Sequence, residues 1–285
     1  MQYSRNKFLK TVGLGGLMAT SSAVTAAPFI NIFKDSDLIK ETKGLSLGLA
    51  SYSTRKYSLE ETLELAKKLN IKQLALKSMH MPLDSTEDEI KEIAGKCDAA
   101  GIDLYGVGVI YMKTKEEVEN AFRYANAASA KVIIGVPNHD LLPLVEKKVR
   151  ETNIKLAIHN HGPGDEVYPT PDVAYNKIKG LDHRIGLCID VGHVQRLGLD
   201  PAENIKKYAN RLYDVHLKDV DKSEAKGKST EFGRGVLDIP AVLKALKAIN
   251  YTGVMAMEFE KDTENLFAGL AECVGYVNGA LDAIK

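Results

Sequence analysis

Short apolar runs alternate along this chain with longer stretches whose apolar residues recur at three- and four-residue spacing. The runs are residues 45–50, 73–77, 104–110, 132–136, 155–159, 185–190, 212–217 and 253–259. Most lack strict alternation, and continuous apolarity over so few residues predicts strands covered on both faces, as in a parallel sheet. The periodic stretches, 59–69, 87–99, 115–127, 141–150, 171–179, 201–208, 239–249 and 264–284, predict amphipathic helices between them. Ser58 with Glu61 and Thr114 with Glu117 read as capping boxes, while Thr170-Pro171 and Asp200-Pro201 place a cap before a proline suited to a first turn. Strand and helix alternating through roughly 240 residues predict α/β architecture, a single (β/α)8 TIM barrel over residues 44–285. An open doubly wound sheet is the main alternative, but no Gly-x-Gly-x-x-Gly follows the first run.

The first residues break this pattern. Arg5, Lys7 and Lys10 precede an apolar stretch, 11–24, and small residues at Val24 and Ala26 suit cleavage before Ala27. Residues 1–26 are therefore expected to be an export signal and 27–43 a linker, which predicts an exported, periplasmic protein. The string is similar to a twin-arginine leader with Asn6 in place of the second arginine, so Tat-like and Sec export both stand. The apolar stretch is short for a stable span, and no membrane insertion of the mature form is expected.

With 45% hydrophobic and 27% charged residues the chain can bury a sizeable core, and its formal net charge is zero. Losing the leader would leave it about three units acidic. A nucleic-acid partner would bring a basic excess, so that class is set aside. Cys97, Cys188 and Cys273 are too few and too odd for a disulfide framework and read as small buried residues. Cys188, on the strand face of Asp190, leaves a metal or redox role as the alternative.

Four successive runs end on, or carry near their ends, a side chain that binds metals: His159, Asp190, His216 and Glu258. Barrel chemistry sits at the C-terminal ends of the strands, so these four are expected to converge. Two imidazoles and two carboxylates without a thiolate suit one divalent metal ion, Mn, Co, Zn or Fe, with Mg less comfortable. Open positions on such an ion would take substrate oxygens.

The strings Ile158-His159-Asn160-His161, Asp190-Val191-Gly192-His193, Val215-His216-Leu217-Lys218-Asp219 and Gly253-Val254-Met255-Ala256-Met257-Glu258 resemble the xylose-isomerase-like TIM barrel family of sugar isomerases and epimerases. The resemblance runs from about residue 44 to the C-terminus. It implies that Asp190, His216 and Glu258 are metal ligands, as in the ketose epimerase and inosose dehydratase branches, and that His193 contacts substrate. His159 departs from the pattern, because those branches carry there a glutamate that is both ligand and acid-base group. A proton shuttle between two glutamates is thereby in doubt. The candidates for the base are Glu258, His161, Lys77 and Lys218, with His80, His193 and Arg234 as candidate substrate contacts. Glu260 shares the strand parity of Glu258 and is its alternative. Loops 162–169 and 219–234 are expected to close over the mouth, and His139 and His183 to lie on the surface.

The leading function implied is a divalent-metal-dependent sugar isomerase or epimerase that takes a proton beside a carbonyl through an enediolate. The alternative is a lyase or dehydratase acting on a 3-keto-glycoside or keto-sugar, which needs one base and one acid. A phosphodiesterase of the endonuclease IV type and a non-catalytic sugar-binding barrel rank lower. The expected partner is a small, unphosphorylated carbohydrate, since export separates the protein from sugar phosphates. A homo-oligomer is expected only by family analogy.

Overall fold

The computed structural model describes residues 44–261 and 264–284; the expected leader and linker lie outside these. Eight strands, β1 (Ser46–Ala50), β2 (Gln73–Leu76), β3 (Asp103–Met112), β4 (Val132–Pro137), β5 (Lys155–His159), β6 (Ile185–Asp190), β7 (Leu212–Leu217) and β10 (Val254–Met257), close in the order β1-β10-β7-β6-β5-β4-β3-β2. Every pairing around the barrel is parallel. Leu49, Leu74, Ile133, Leu156, Ile189 and Met255 are fully buried, which is why these runs need no polar alternation. A two-stranded antiparallel hairpin, β8 (Asp219–Val220) and β9 (Ser229–Thr230), stands outside the barrel.

Ser58 and Thr114 open α1 (Leu59–Lys68) and α3 (Lys115–Ala127) with the expected reciprocal capping boxes, and Thr86 opens α2 (Glu87–Ala99) with one the sequence reading did not single out. The chain continues through α4 (Leu142–Thr152) and α5 (Pro171–Ile178), the latter capped by Thr170. An unforeseen helix, α6 (Val191–Arg196), follows β6 directly. Asp200 caps α7 (Pro201–Lys207), and α8 (Ile239–Ala248) and α9 (Leu266–Ala283) complete the outer layer.

Three differences from the sequence reading bear on the site. Strand β3 runs to Met112 and lifts Tyr111 onto the rim, exposed, because the ladder to β4 continues past the expected end. Strand β10 stops at Met257, yet Glu258 still donates its amide to the Leu217 carbonyl at 3.0 Å, so its backbone remains fixed. His139 is half-buried, not a surface residue, with its Nε2 3.0 Å from the Val167 carbonyl and its ring edge-on to Tyr168. His183 is exposed.

A cavity of about 670 Å³ opens at the opposite, N-terminal end of the barrel, lined by Ser46, Gln73, Asp103, Lys131, Lys155 and Gly253. Its Asp103 and Lys131 pair with each other at 2.9 Å. None of His159, Asp190, His216 and Glu258 lines it. Among the described residues no helix is long and apolar enough to cross a membrane.

Candidate metal centre

Neighbouring strands β5, β6, β7 and β10 bring His159, Asp190, His216 and Glu258 to one end of the barrel, all four buried. The Nε2 of His159 lies 3.1 Å from the Nδ1 of His216 and 3.7 Å from the Oδ2 of Asp190. That same His216 nitrogen is 3.3 Å from the Oε2 of Glu258. One donor atom from each residue falls within 4.8 Å of the others. Among the described residues His159, Cys188 and His216 form a second grouping of that kind, but the Cys188 thiol is turned toward Asp214 at 3.5 Å. Burial raises that thiol well above its ordinary value, against a thiolate role.

The structure supplies its own test of whether an ion suits this cluster. Asp190 divides its carboxylate: Oδ1 accepts the amide of His193 at 2.8 Å and caps α6, while Oδ2 is buried without a hydrogen bond and faces the cluster. The nearest cation to that oxygen is the Lys218 ammonium at 3.1 Å, an ion pair without hydrogen-bond geometry, so the oxygen keeps a lone pair for an ion in the cluster. Two imidazoles and two carboxylates at this spacing fit one divalent ion. Asn160, which the sequence reading passed over, sets the position of Asp190 by accepting its amide at 3.1 Å from the end of β5.

Lys218 supplies the local charge balance. Its ammonium lies 3.1 Å from Asp190, 2.9 Å from Glu258 and 3.1 Å from Glu260, buried together with the first two. These are ion-pair distances without good hydrogen-bond angles, since the nitrogen has no hydrogen-bond partner. Burial would lower its pKa, but the three carboxylates raise it well above the usual value. Lys218 is therefore a fixed cation, suited to charge pairing and to meeting a substrate oxyanion, and ill suited to taking a proton. Burial opposes ionisation of Glu258, yet Lys218 and His216 hold it well below the ordinary carboxylate range. Gly192 makes room for Lys218: a Cβ there would meet the lysine stem at 2.8 Å.

Around this centre lie further expected residues. Burial pushes His159 down to about 3, His193 to about 3 and His161 to about 4, so all three are neutral at pH 7. The rings of His159 and His161 are 4.5 Å apart, and that of His193 lies 6.0 Å from each. The Nε2 of His161 meets the Tyr111 hydroxyl at 2.9 Å, a pairing the sequence did not reveal. Lys77, at the end of β2, holds its amine 4.4 Å over the Tyr52 ring, and burial lowers its pKa.

Two expected substrate contacts are placed differently. His80 is enclosed, its Nε2 3.1 Å from the Tyr57 carbonyl and 3.3 Å from Thr62, so the ring ties the loop after β2 to α1. Arg234 is exposed and forms a two-pronged ion pair with Glu272 of α9. The loop expected to close over the mouth, 219–234, is stapled at its base. Asp219 accepts backbone amides from Val220, Gly233, Gly235 and Leu237. Its tip is held by Gln195 on Ser223 and Arg196 on the Ala225 carbonyl.

The chain resembles known proteins in both sequence and fold. An inosose dehydratase of Clostridium perfringens is 32% identical over 130 residues, covering 40% of this chain and 43% of that protein. The chain thus spans less than half the length of the dehydratase it matches. A D-tagatose 3-epimerase-like protein superposes with a TM-score of 0.69 at 19% identity, covering 84% of this chain and 98% of that one. The 3-keto-D-glucoside 4-epimerase of E. coli gives 0.68 at 15% identity, covering 82% and 99%. At such identities these two likenesses show the shared fold alone. The family model described as xylose isomerase-like TIM barrel matches residues 45–273, and with that span matched, the chain belongs to the xylose isomerase-like TIM barrel family.

Proposed function

We propose that this protein is a divalent-metal-dependent sugar enzyme that removes a proton beside the carbonyl of an unphosphorylated ketose or keto-sugar. The observation that carries the reading is the convergence of His159, Asp190, His216 and Glu258, with Asp190 Oδ2 left without a hydrogen bond, beside the Lys218 cation. When bound there, the ion would act as a Lewis acid toward a substrate carbonyl and lower the barrier to loss of the adjacent proton. Lys218 places a second positive charge at the same mouth, where negative charge develops on the substrate oxygen. His161 is neutral and can accept a proton at Nε2, and the Tyr111 hydroxyl 2.9 Å away can pass one on or return it. Lys77, its pKa lowered, is the second candidate base.

Elimination is the second reading, and one residue makes it the less demanding chemistry here. Two-sided epimerisation calls for acid-base groups on both faces of the carbon, and His159 occupies the strand end where the ketose epimerase and inosose dehydratase branches alike carry a glutamate. Expelling a β-substituent requires one base and one acid, which His161 and Tyr111 can supply. The expected export signal and the pairing of Arg234 with Glu272 both support a substrate without phosphate. The inosose dehydratase likeness is in keeping with this reading.

The test is turnover of inososes, 3-keto-glycosides and ketoses in D2O by the Mn-, Co- or Zn-loaded protein. Solvent deuterium appearing at the carbon beside the carbonyl, with elimination from the keto-sugars, is the expected result. A protein that binds metal but exchanges no substrate C–H would end the catalytic reading. Retention of metal and turnover by Asp190→Ala would show that the site is elsewhere.

A further inference from the structure

One layer below the metal cluster, Asp214 of β7 is fully buried inside the barrel. It stands two residues before His216 on the same strand, so both side chains point inward. Its Oδ1 lies 3.9 Å from the Nε2 of His216 and 3.5 Å from the Cys188 thiol. The hydroxyl of Tyr105 also faces it. Lysine and arginine are absent from these contacts, and the histidine nitrogen is the basic group it meets. The imidazole is therefore held between two environments: Nδ1 toward His159 and Glu258, Nε2 toward Asp214. Both His216 Nε2 and Asp214 Oδ2 are buried without a hydrogen-bond partner. Among the described residues His159 has no such arrangement: its remote nitrogen Nδ1 is buried without a hydrogen-bond partner, and no carboxylate pairs with it.

We infer that Asp214 is a positioning residue whose charge, 3.9 Å from His216 Nε2, favours the Nε2–H tautomer and so presents Nδ1 to the metal, making His216 the strong imidazole ligand and His159 the weak one. The inference rests on the metal reading above and adds to it a residue outside the ligand set. A carboxylate behind a ligating histidine orients the ring and increases its basicity, and losing such a partner typically weakens metal affinity 10–100-fold.

The experiment uses the whole protein loaded with Zn²⁺ and titrated by competition with a chelator. Asp214→Asn, which keeps the volume and loses the charge, is expected to weaken Zn²⁺ 10–100-fold. His216→Ala should lose more affinity than His159→Ala. Cys188→Ala, which trims another neighbour of Asp214, should bind within about threefold of the parent. In parallel, the ¹⁵N-histidine-labelled parent loaded with ¹¹³Cd²⁺ should show cadmium coupling to Nδ1 of His216 and a proton on Nε2, a signature a purely structural aspartate would not set and one that needs no variant to fold. Coupling to Nε2, or Asp214→Asn binding Zn²⁺ within twofold of the parent, would overturn the inference and leave the metal site standing. A parent protein that takes up no Zn²⁺ or Cd²⁺ would overturn both.

Discussion

Replacing Lys218 by methionine removes the cation from between two buried carboxylates and the half-buried Glu260 while leaving most of the stem that packs on Gly192. In the metal-free protein, Asp190 and Glu258 would then face each other with donor oxygens no more than 4.8 Å apart. At an effective dielectric of about 20, two unit charges at that distance repel by about 3.5 kcal/mol. Stripping one partner from a buried ion pair costs about 3–5 kcal/mol by general experience, so the two routes agree. Protonation of one carboxylate would limit the loss to the lower end of that range near pH 7. For a domain of this size each kcal/mol moves the melting temperature by about 2–4 °C, so a fall of roughly 10 °C in EDTA is expected. A saturating divalent ion supplies the missing positive charge. Metal should therefore raise the melting temperature of the variant more than that of the parent. Differential scanning calorimetry with EDTA and with excess Zn²⁺ reads both effects. A variant melting within 2 °C of the parent in EDTA, or equal metal-induced shifts, would refute the charge-balance argument.

Removing the hydroxyl in Tyr111→Phe should reduce kcat by about 10²-fold or more with metal content unchanged, measured by turnover beside elemental analysis. Replacing Asp219 by alanine leaves four backbone amides without their acceptor and should cost about 2–4 kcal/mol in urea unfolding, with limited proteolysis cutting the 221–236 segment. His80 also makes stability depend on pH: burial lowers its pKa, so below about pH 6.5 the unfolded chain binds a proton that the folded chain refuses. Stability then falls with decreasing pH, by at most about 1.4 kcal/mol per unit from this group. Urea midpoints between pH 7 and 5 should show a shallower fall for His80→Gln than for the parent.

The strand ends that carry chemistry were readable because barrel strands are covered on both faces, so a histidine or aspartate closing an apolar run stands out. His159 and Asp190 close β5 and β6 where the sequence placed them, and His216 falls one residue before the end of β7. What escaped the sequence depends on contacts between distant segments. Helix α6 has six residues, too few to show a period, and starts only because Asp190 caps it. Tyr111 reads as the first residue after a strand until β4 extends the ladder beneath it. Asp214 reads as an ordinary polar interruption in β7, and only closure of the barrel sets it behind His216. Arg234, between two glycines, looks free for an anion until Glu272, thirty-eight residues later, is folded against it.

The divided carboxylate of Asp190 has a consequence for how quickly such a centre can be filled. Because the oxygen that caps α6 is not the one turned toward the ligands, the helix carrying His193 is already wound before any ion arrives. The conformational entropy of that segment is lost when the barrel folds, not when the metal binds. Loading should therefore resemble docking into a preformed socket, free of a folding step. An exchange of one metal for another would leave His193 in place.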